Sequence, residues 1–472
     1  MKKLVLRIVL LAFFSISHFT AQSQEKVKQN STYYLQAFYD QLFLGHPIIK
    51  QANLLSDFGK QEIRLARGNF DPKLYSNYDE KRFKEVRYYQ TWESELKIPT
   101  YLGIDFKVGY ERNSGEFLDP ERTVPATGLA YAGIIVPVGQ GLLFDGRRAA
   151  LQEAQYARSM LEAERIKVIN KAILQATKDY WSWYLAHHQL LINQKGFDLA
   201  KVRYEGIVER IAQGDAAAID SIEAKITVQQ REISLQESKV ILNNAKLILS
   251  NHLWDADSNP ILLLPEVIPT QNLNELGGIA TLDELLAFAK ENHPELLKYD
   301  FKTKQLEVSR KLSIEMMKPV INLNYNLLGQ SPLFEDSNKG AFFKNNYKYG
   351  VAFYFPLLLR KERAKFQQTN IKLQQNILER TQVSREILND VNTLYNDLKN
   401  IENLLKLQEN MVNNYQILLN GEQEKFFNGE SSLFLVNSRE SSLLSSELKL
   451  IELQFKYAKT KAELLWAAGR SI

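Results

Sequence analysis

The sequence predicts a mixed α and β membrane protein, on three observations. Short runs alternate apolar and polar residues, as strands with one apolar face do. Long proline-free stretches carry a seven-residue apolar period, as paired helices do. Both kinds of segment recur in the same order, which marks an internal two-fold repeat.

Composition narrows the class before any element is placed. The 472 residues include no cysteine, which excludes disulfide scaffolds, cysteine-based zinc sites, thiol nucleophiles and a lipid anchor on cysteine. Lys and Arg number 59 against 55 Asp and Glu, so a nucleic-acid partner is not implied. The start reads as an export signal over 1–23. Lys2 and Lys3 precede the apolar stretch Ile8 to Ile16, and Ala21, Gln22 and Ser23 form a small-x-small cleavage site. That stretch is well short of the ~20 apolar residues a spanning helix needs, and no other segment reaches that length.

The repeat is read from shared offsets. His46 and Pro47 recur as His293 and Pro294, and Asn77 and Tyr78 as Asn324 and Tyr325, each 247 residues on. Later anchors, Arg148 with Arg363 and Gly214 with Gly429, lie 215 apart, so the first copy holds 32 additional residues between Tyr78 and Arg148. The expected organisation is a first repeat at 24–254, with helices 32–68, strands 72–138 and a long helical hairpin 146–254. A proline-rich linker at 255–280 follows. The second repeat, 281–472, has a helix at 281–317, strands at 319–357 and a hairpin at 360–468.

The strands come from period two. Ile321, Leu323, Tyr325 and Leu327 alternate with asparagines, and Tyr347, Tyr349, Val351, Phe353 and Phe355 alternate with Lys348, Gly350, Ala352 and Tyr354. In the first copy Trp92, Ser94, Leu96 and Ile98 alternate with Glu93, Glu95 and Lys97. Leu102 to Tyr110 alternates likewise across a turn at Pro99 and Thr100. About ten residues with one apolar and one polar face suit a tilted strand of a membrane barrel, with the polar face toward a water-filled lumen. A soluble sheet with one solvated face would give the same alternation. The polar segments 113–127 and 329–346 have the length and composition of outward barrel loops.

The helices come from period seven. Ile387, Val391, Leu394, Leu398, Ile401, Leu405, Gln408, Val412, Tyr415 and Leu419 alternate by four and three, a coiled-coil seam. The returning segments keep the period through Ile219, Ile226, Ile233, Val240 and Leu247, and through Val436, Leu443, Leu450, Tyr457 and Leu464. Gly214 and Gly429 mark the turns between outgoing and returning helices. An arm of some 65 helical residues would reach roughly 100 Å, which no compact globule contains. Tyr180, Trp181, Trp183 and Tyr184 in the first arm are read as packing rather than as a ligand box.

The signal, the ordered repeat, the strands feeding long arms and the turns at Gly214 and Gly429 together resemble the TolC family of outer membrane efflux proteins. The resemblance implies a homotrimer in which the protomers share one outer-membrane β-barrel, continued by a periplasmic α-helical barrel of coiled-coil hairpins. It implies a passive exit duct of a tripartite efflux pump or type I secretion system, served by a periplasmic adaptor protein and an inner-membrane transporter in a Gram-negative bacterium. The adaptor would dock on the turns at Gln213, Gly214, Asp215 and Ala216, and at Asn428, Gly429, Glu430, Ser431 and Ser432. Where relatives narrow the periplasmic mouth with acids, this sequence has Leu435 and Ser438 in the second copy and Asp220 and Glu223 in the first. Those two carboxylates are a gate or plain solvated charges. The lipid-facing strand residues would be Ile321, Leu323, Tyr325, Tyr347, Tyr349, Val351, Phe353 and Phe355. The hairpin at 91–110 either joins the barrel, giving eighteen strands in a trimer instead of the family's twelve, or packs outside it.

No catalytic residue, cofactor or metal site is expected. His187 and His188 are adjacent, so they face different sides of a helix, and no phosphate-cradling loop follows a strand. An exported periplasmic coiled-coil protein without a channel remains the alternative.

Overall fold

The structure is a computed structural model that describes residues 32–264, 266–270, 278, 280–330 and 346–470. The expected export signal, most of the expected loop at 329–346 and the centre of the linker lie outside the described residues. In chain order the elements are β1 (Thr32–Tyr33), α1 (Leu35–Gly45), α2 (Pro47–Arg67), β2 (Lys73–Phe83), β3 (Val86–Pro99), β4 (Asp105–Ser114), β5 (Leu129–Pro137), α3 (Gly146–Ala212) and α4 (Ala218–Ser250). They continue with β6 (Ile268–Pro269), α5 (Leu282–Asn292), α6 (Pro294–Glu315), β7 (Val320–Gln330), β8 (Tyr347–Tyr354), α7 (Arg360–Phe427) and α8 (Leu433–Ala467). The order of a helix pair, strands and two long helices therefore occurs twice.

The helices expected over 32–68 are two, and the single helix expected over 281–317 is likewise two, each pair dividing at the histidine before the proline. Proline disfavours the helical conformation in the residue before it, and both histidines are extended, with φ/ψ of −62/125° at His46 and −64/124° at His293. Proline then starts the next helix, where a missing N–H costs nothing. Thr281 caps α5 with a full capping box, its hydroxyl accepting from Glu284 N while the Glu284 carboxylate accepts from Thr281 N.

The chain divides into two compact units. One comprises 47–174, 279–397 and 461–472, and the other 1–46, 175–278 and 398–460. The first holds an antiparallel six-stranded sheet in the order β2-β3-β4-β5-β7-β8. Strands β3 and β4 extend beyond the expected hairpin at both ends. Leu102 and Ile104 are not part of it, because residues 100–104 form the turn, with Gly103 at φ +86°. Phe355 falls one residue past the end of β8. Beside the sheet, α6 and the start of α3 pack through Phe144, Ala149 and Val308. Ion pairs Lys298–Glu164 (2.8 Å) and Lys167–Glu295 (2.6 Å) tie α6 to α3.

The second unit holds β1, α1, α4, β6 and the parts of α3, α7 and α8 nearest the two turns. Within each hairpin the seam carries a polar bond as well as apolar contacts. Asn193 donates to Ser238 Oγ at 2.6 Å between α3 and α4, and Gln408 donates to Ser446 O and Oγ at 3.0 and 2.8 Å between α7 and α8. Gln408 is the one polar member of the expected seam, and these bonds satisfy it. All ten seam residues of α7 are buried or half-buried. The aromatic group is core, as expected. Tyr180, Trp181 and Trp183 are fully buried, Phe38 of α1 packs 5.5 Å from the Tyr180 ring, and the Tyr180 hydroxyl donates to Tyr33 O at 2.6 Å.

One expected seam faces outward. Ile219, Ile226, Ile233, Val240 and Leu247 of α4 are all exposed, whereas the stripe that packs within the chain is Ala224, Leu235, Ser238, Leu242, Ala245 and Leu249. Both stripes have the coiled-coil period, and that period alone does not say which partner each one meets. The equivalent residues of α8, Val436, Leu443 and Leu464, are buried. Among the described residues no helix is long and apolar enough to cross a membrane.

Candidate functional site

The register of the six strands sorts their side chains into two faces. On one face Leu74, Leu96, Val108, Ala132, Leu327 and Tyr347 form a row across the whole sheet. The next position along the strands adds Ile98, Phe106, Ile134, Tyr325 and Tyr349, and the one beyond it Val136, Leu323 and Val351. On the other face one row reads Lys73, Lys97, Lys107, Gly133, Asn326 and Lys348, and another Asn77, Glu93, Glu111 and Leu129. Ile321, Leu323, Tyr325, Tyr347, Tyr349, Val351 and Phe353 all share the apolar face.

The apolar face is the exposed one. Along β4, Phe106 and Val108 are exposed, at 49% and 53%, whereas the side chains of Asp105 and Lys107 between them are sheltered to 13% each. A water-soluble sheet buries its apolar face because that is what removes hydrocarbon from water. On β4 the polar residues take the sheltered side, whereas the edge strands β2 and β8 are exposed on both faces apart from Gly350. Three polar groups on the apolar face bond one another, the Ser76 and Ser94 hydroxyls lying 2.9 Å apart and Trp92 Nε1 donating to Ser76 Oγ at 3.1 Å. Aromatic rings contact one another on that face, with Trp92 on Tyr110 (5.8 Å) and Tyr347 stacked on Tyr325 and Tyr349 (6.1 and 6.3 Å).

On the sheltered face the strands are cross-tied. Tyr131 of β5 lies over Gly109 of β4, so closely that a Cβ there would sit 2.3 Å from the ring. The Tyr131 hydroxyl reaches β3, contacting Glu95 Oε2 at 2.9 Å and Glu93 Oε1 at 3.2 Å. Lys97 pairs with Asp105 at 3.2 Å, and Asp105 with Arg147 at 2.7 Å, joining the sheet to the first turn of α3. Asp145 caps that helix by accepting from Arg148 N at 2.9 Å. Burial alone would raise its carboxyl, but this bond and the guanidinium groups of Arg147 and Arg148 hold it below the ordinary range. Sequence reasoning missed the Tyr131–Gly109 tie. Its only signal is a glycine inside a strand pattern, whose partner strand cannot be read without the register.

The two turns are built alike. Gly214 and Gly429 have φ of +80° and +78°. In each, the glycine N–H bonds the carbonyl three residues back (Ile211 O, 3.0 Å; Phe426 O, 3.1 Å), and the next N–H reaches five back (Arg210 O, 2.9 Å; Lys425 O, 2.8 Å). This is the six-to-one and five-to-two pattern of a left-handed helix terminator. Gln213, Gly214, Asp215, Asn428, Gly429, Glu430 and Ser432 are exposed, and Ala216 and Ser431 half-buried. One apolar cluster, Ile207, Ala224 and Leu433 with Phe426, brings the bases of both turns together, and Arg210 stacks over the Phe426 ring at 5.3 Å.

Of the residues near the turns, Asp220 and Glu223 are half-buried on α4, while Leu435 and Ser438 are exposed on α8. The helices themselves are neighbours, since Arg231 of α4 donates to Ser441 Oγ of α8 at 2.8 Å. Farther from the turns Arg203 holds the buried Glu440 and donates to Asn437 at 2.6 Å, and Lys195 pairs with Glu447 at 3.0 Å. This polar link between the two hairpins has no sequence signature, because its members lie more than 230 residues apart.

The family described as outer membrane efflux protein matches residues 285–470. No curated protein matches the chain in sequence. Among solved structures it resembles CusC, with 14% identity, a TM-score of 0.67, and 94% of this chain and 96% of that one covered. The open state of the Neisseria gonorrhoeae MtrE outer membrane channel is similar at 14% identity and a TM-score of 0.66, covering 92% and 89%. The Vibrio cholerae outer membrane protein VceC is similar at 13% and 0.63, covering 92% and 96%. Residues 285–470 thus match the outer membrane efflux protein family, and the chain as a whole has the fold of solved outer-membrane channels.

Proposed function

We propose that the chain is one subunit of a trimeric outer-membrane channel-tunnel, the passive exit duct of a tripartite efflux pump or type I secretion system. The sheet carries this reading, because β4 in its interior is apolar where exposed and polar where sheltered. That inversion is stable only if lipid covers the apolar face and water fills the polar side. Ile321, Leu323, Tyr325, Tyr347, Tyr349, Val351 and Phe353 face hydrocarbon. A periplasmic coiled-coil protein without a channel would leave this face in water.

The outward stripe of α4, Ile219 to Leu247, supports assembly, because it has the period of a helix seam and needs a neighbouring chain to cover it. The internal repeat gives each chain two hairpins, and three chains then line a helical barrel in the periplasm. A periplasmic adaptor docks on the turns Gln213 to Ala216 and Asn428 to Ser432, which end in matched left-handed glycines. It connects the duct to an inner-membrane transporter that supplies the energy. Asp220 and Glu223 narrow the periplasmic mouth, with Leu435 and Ser438 beside them.

The purified protein is expected to require detergent, to run as a trimer, and to conduct ions in planar bilayers. A stable monomer in plain buffer would remove the channel reading.

A further inference from the structure

The six-stranded sheet is open, and its two free edges are β2 and β8. We propose that β8 of one chain pairs with β2 of the next, with Lys348 opposite Asp79, so that three chains close a barrel of eighteen strands in which the inserted hairpin is wall. The inference rests on the trimer proposed above and adds the joint, its register and the strand count.

Three observations carry it. First, the hairpin is integral to the sheet. Strands β3 and β4 pair along their lengths with each other and with β2 and β5, and Tyr131 ties β5 to β3 across Gly109. Second, the chain contributes an even number of strands, alternating in direction, so β8 meets the neighbouring β2 antiparallel, as every other pair in the sheet is. An odd number would force a parallel joint.

Third, the stagger accumulated within the sheet dictates the register. The lysine row starts at Lys73, the first residue of β2, and climbs relative to the strand ends. It crosses β3 at Lys97, two residues from the end at Pro99, and β5 at Gly133, four from Pro137. It reaches β8 at Lys348, six from Tyr354. Keeping the strand ends level around a closed ring requires the row to continue six residues into the next β2, at Asp79.

A shift of six is even, so the faces match. Lys348 then meets a carboxylate, Phe353 meets Leu74 and Tyr349 meets Tyr78. A shift of eight would set Lys348 against Lys81 and run the joint through the register break at Lys81/Arg82. At about 3.4 Å per residue and about 4.8 Å between strands, six residues of stagger per six strands gives a tilt of about 35°. That lies in the range closed barrels adopt, while a shift of four would give only about 25°. The same spacings give a backbone radius of about 17 Å, against about 11 Å for twelve strands. The barrel therefore admits broader cargo than a twelve-stranded wall would.

The chain has no cysteine, so introduced pairs report without background. Asn77→Cys with Gly350→Cys samples the proposed register, and Tyr75→Cys with Ala352→Cys samples it again should the first pair assemble poorly. Asn77→Cys with Ala352→Cys or with Lys348→Cys samples shifts of eight or four. Particle mass in detergent is measured separately on each variant. The expected result is a trimer whose chains become covalently linked on oxidation in the first two pairs and several-fold less in the offset pairs. A trimer with no link between positions 77 and 350 or between 75 and 352 overturns the joint and leaves the trimer standing. A particle that is not a trimer overturns the proposed function and this inference with it.

Discussion

An arginine placed on adjacent residues of β8 separates a membrane wall from a soluble sheet. Val351 is 64% exposed in the single chain and has Leu323 as its cross-strand neighbour on the apolar face. Gly350, one residue earlier, faces the other side opposite Asn324, and a Cβ there would meet no atom within 4 Å. In water both positions would accept Val351→Arg or Gly350→Arg within about 0.5 kcal/mol, since neither buries the new charge. In a bilayer Val351, in the middle of β8, lies near the hydrocarbon midplane, where arginine on the lipid side costs about 2–4 kcal/mol. Gly350→Arg projects into lumen water and is tolerated. Three symmetric chains bring the penalty for Val351→Arg to about 6–12 kcal/mol per trimer, beyond the net stability of most domains. Folding yield in lipid vesicles, followed by urea titration of the trimer, measures both variants under one condition. Val351→Arg is expected to lose most of the assembled trimer while Gly350→Arg keeps it. Equal behaviour would refute the assignment of the apolar face to lipid.

Other regions give further expectations. Gly429→Val forces a β-branched residue into a left-handed conformation, costing about 1–2 kcal/mol at the turn. It is expected to reduce cross-linking to the adaptor while the trimer persists, and unchanged cross-linking would remove the turn from the docking surface. Glu440→Gln leaves the Arg203 guanidinium without its buried partner and is expected to cost up to about 3 kcal/mol, read as a lower melting temperature of the helical signal. Asp220→Asn with Glu223→Gln is expected to reduce cation selectivity, measured as the reversal potential across a salt gradient. No change would make these charges plain helix surface. Burial holds the His293 ring down to about 4, with Glu295 pulling weakly the other way. Its unfolded value is about 6.5, so the unfolded chain gains a proton between about pH 6.5 and 4 that the folded chain refuses. Stability is therefore complete above about pH 6.5 and falls with acid by at most about 3 kcal/mol per chain. His293→Asn, which can still cap α6, should flatten that loss when urea midpoints at pH 7.5 and 4.5 are compared.

Periodicity made much of the architecture legible. The seam from Ile387 to Leu419 is sheltered throughout, because a residue every 3.5 positions must face one partner whatever that partner is. Gly214 and Gly429 could be read as turns because few other residues adopt the left-handed conformation cheaply. The strand faces were legible for the same reason, since alternation is a local property of an extended chain.

What remained hidden depends on contacts between distant residues. His–Pro steps announce a helix start but not that the preceding helix stops one residue earlier. The outward stripe of α4 reads the same in sequence as the inward one, and only packing separated Ile226 from Leu242. The tie of Tyr131 to Glu95 and the link of Arg203 to Glu440 join residues with no sequence relation.

The sequence by itself determined the repertoire of this protein, namely strands with one apolar face, long helices with seams, glycine turns and their order given twice. Each follows from a repeat within a few residues, which local stereochemistry enforces. Only the tertiary structure decided that the apolar face of the sheet is the exposed one, and that the inserted hairpin lies in the same sheet as the other four strands. Both depend on which strands pair and in what register, and pairing energy is shared between segments as distant as Leu129 and Gln330, so no local pattern records it.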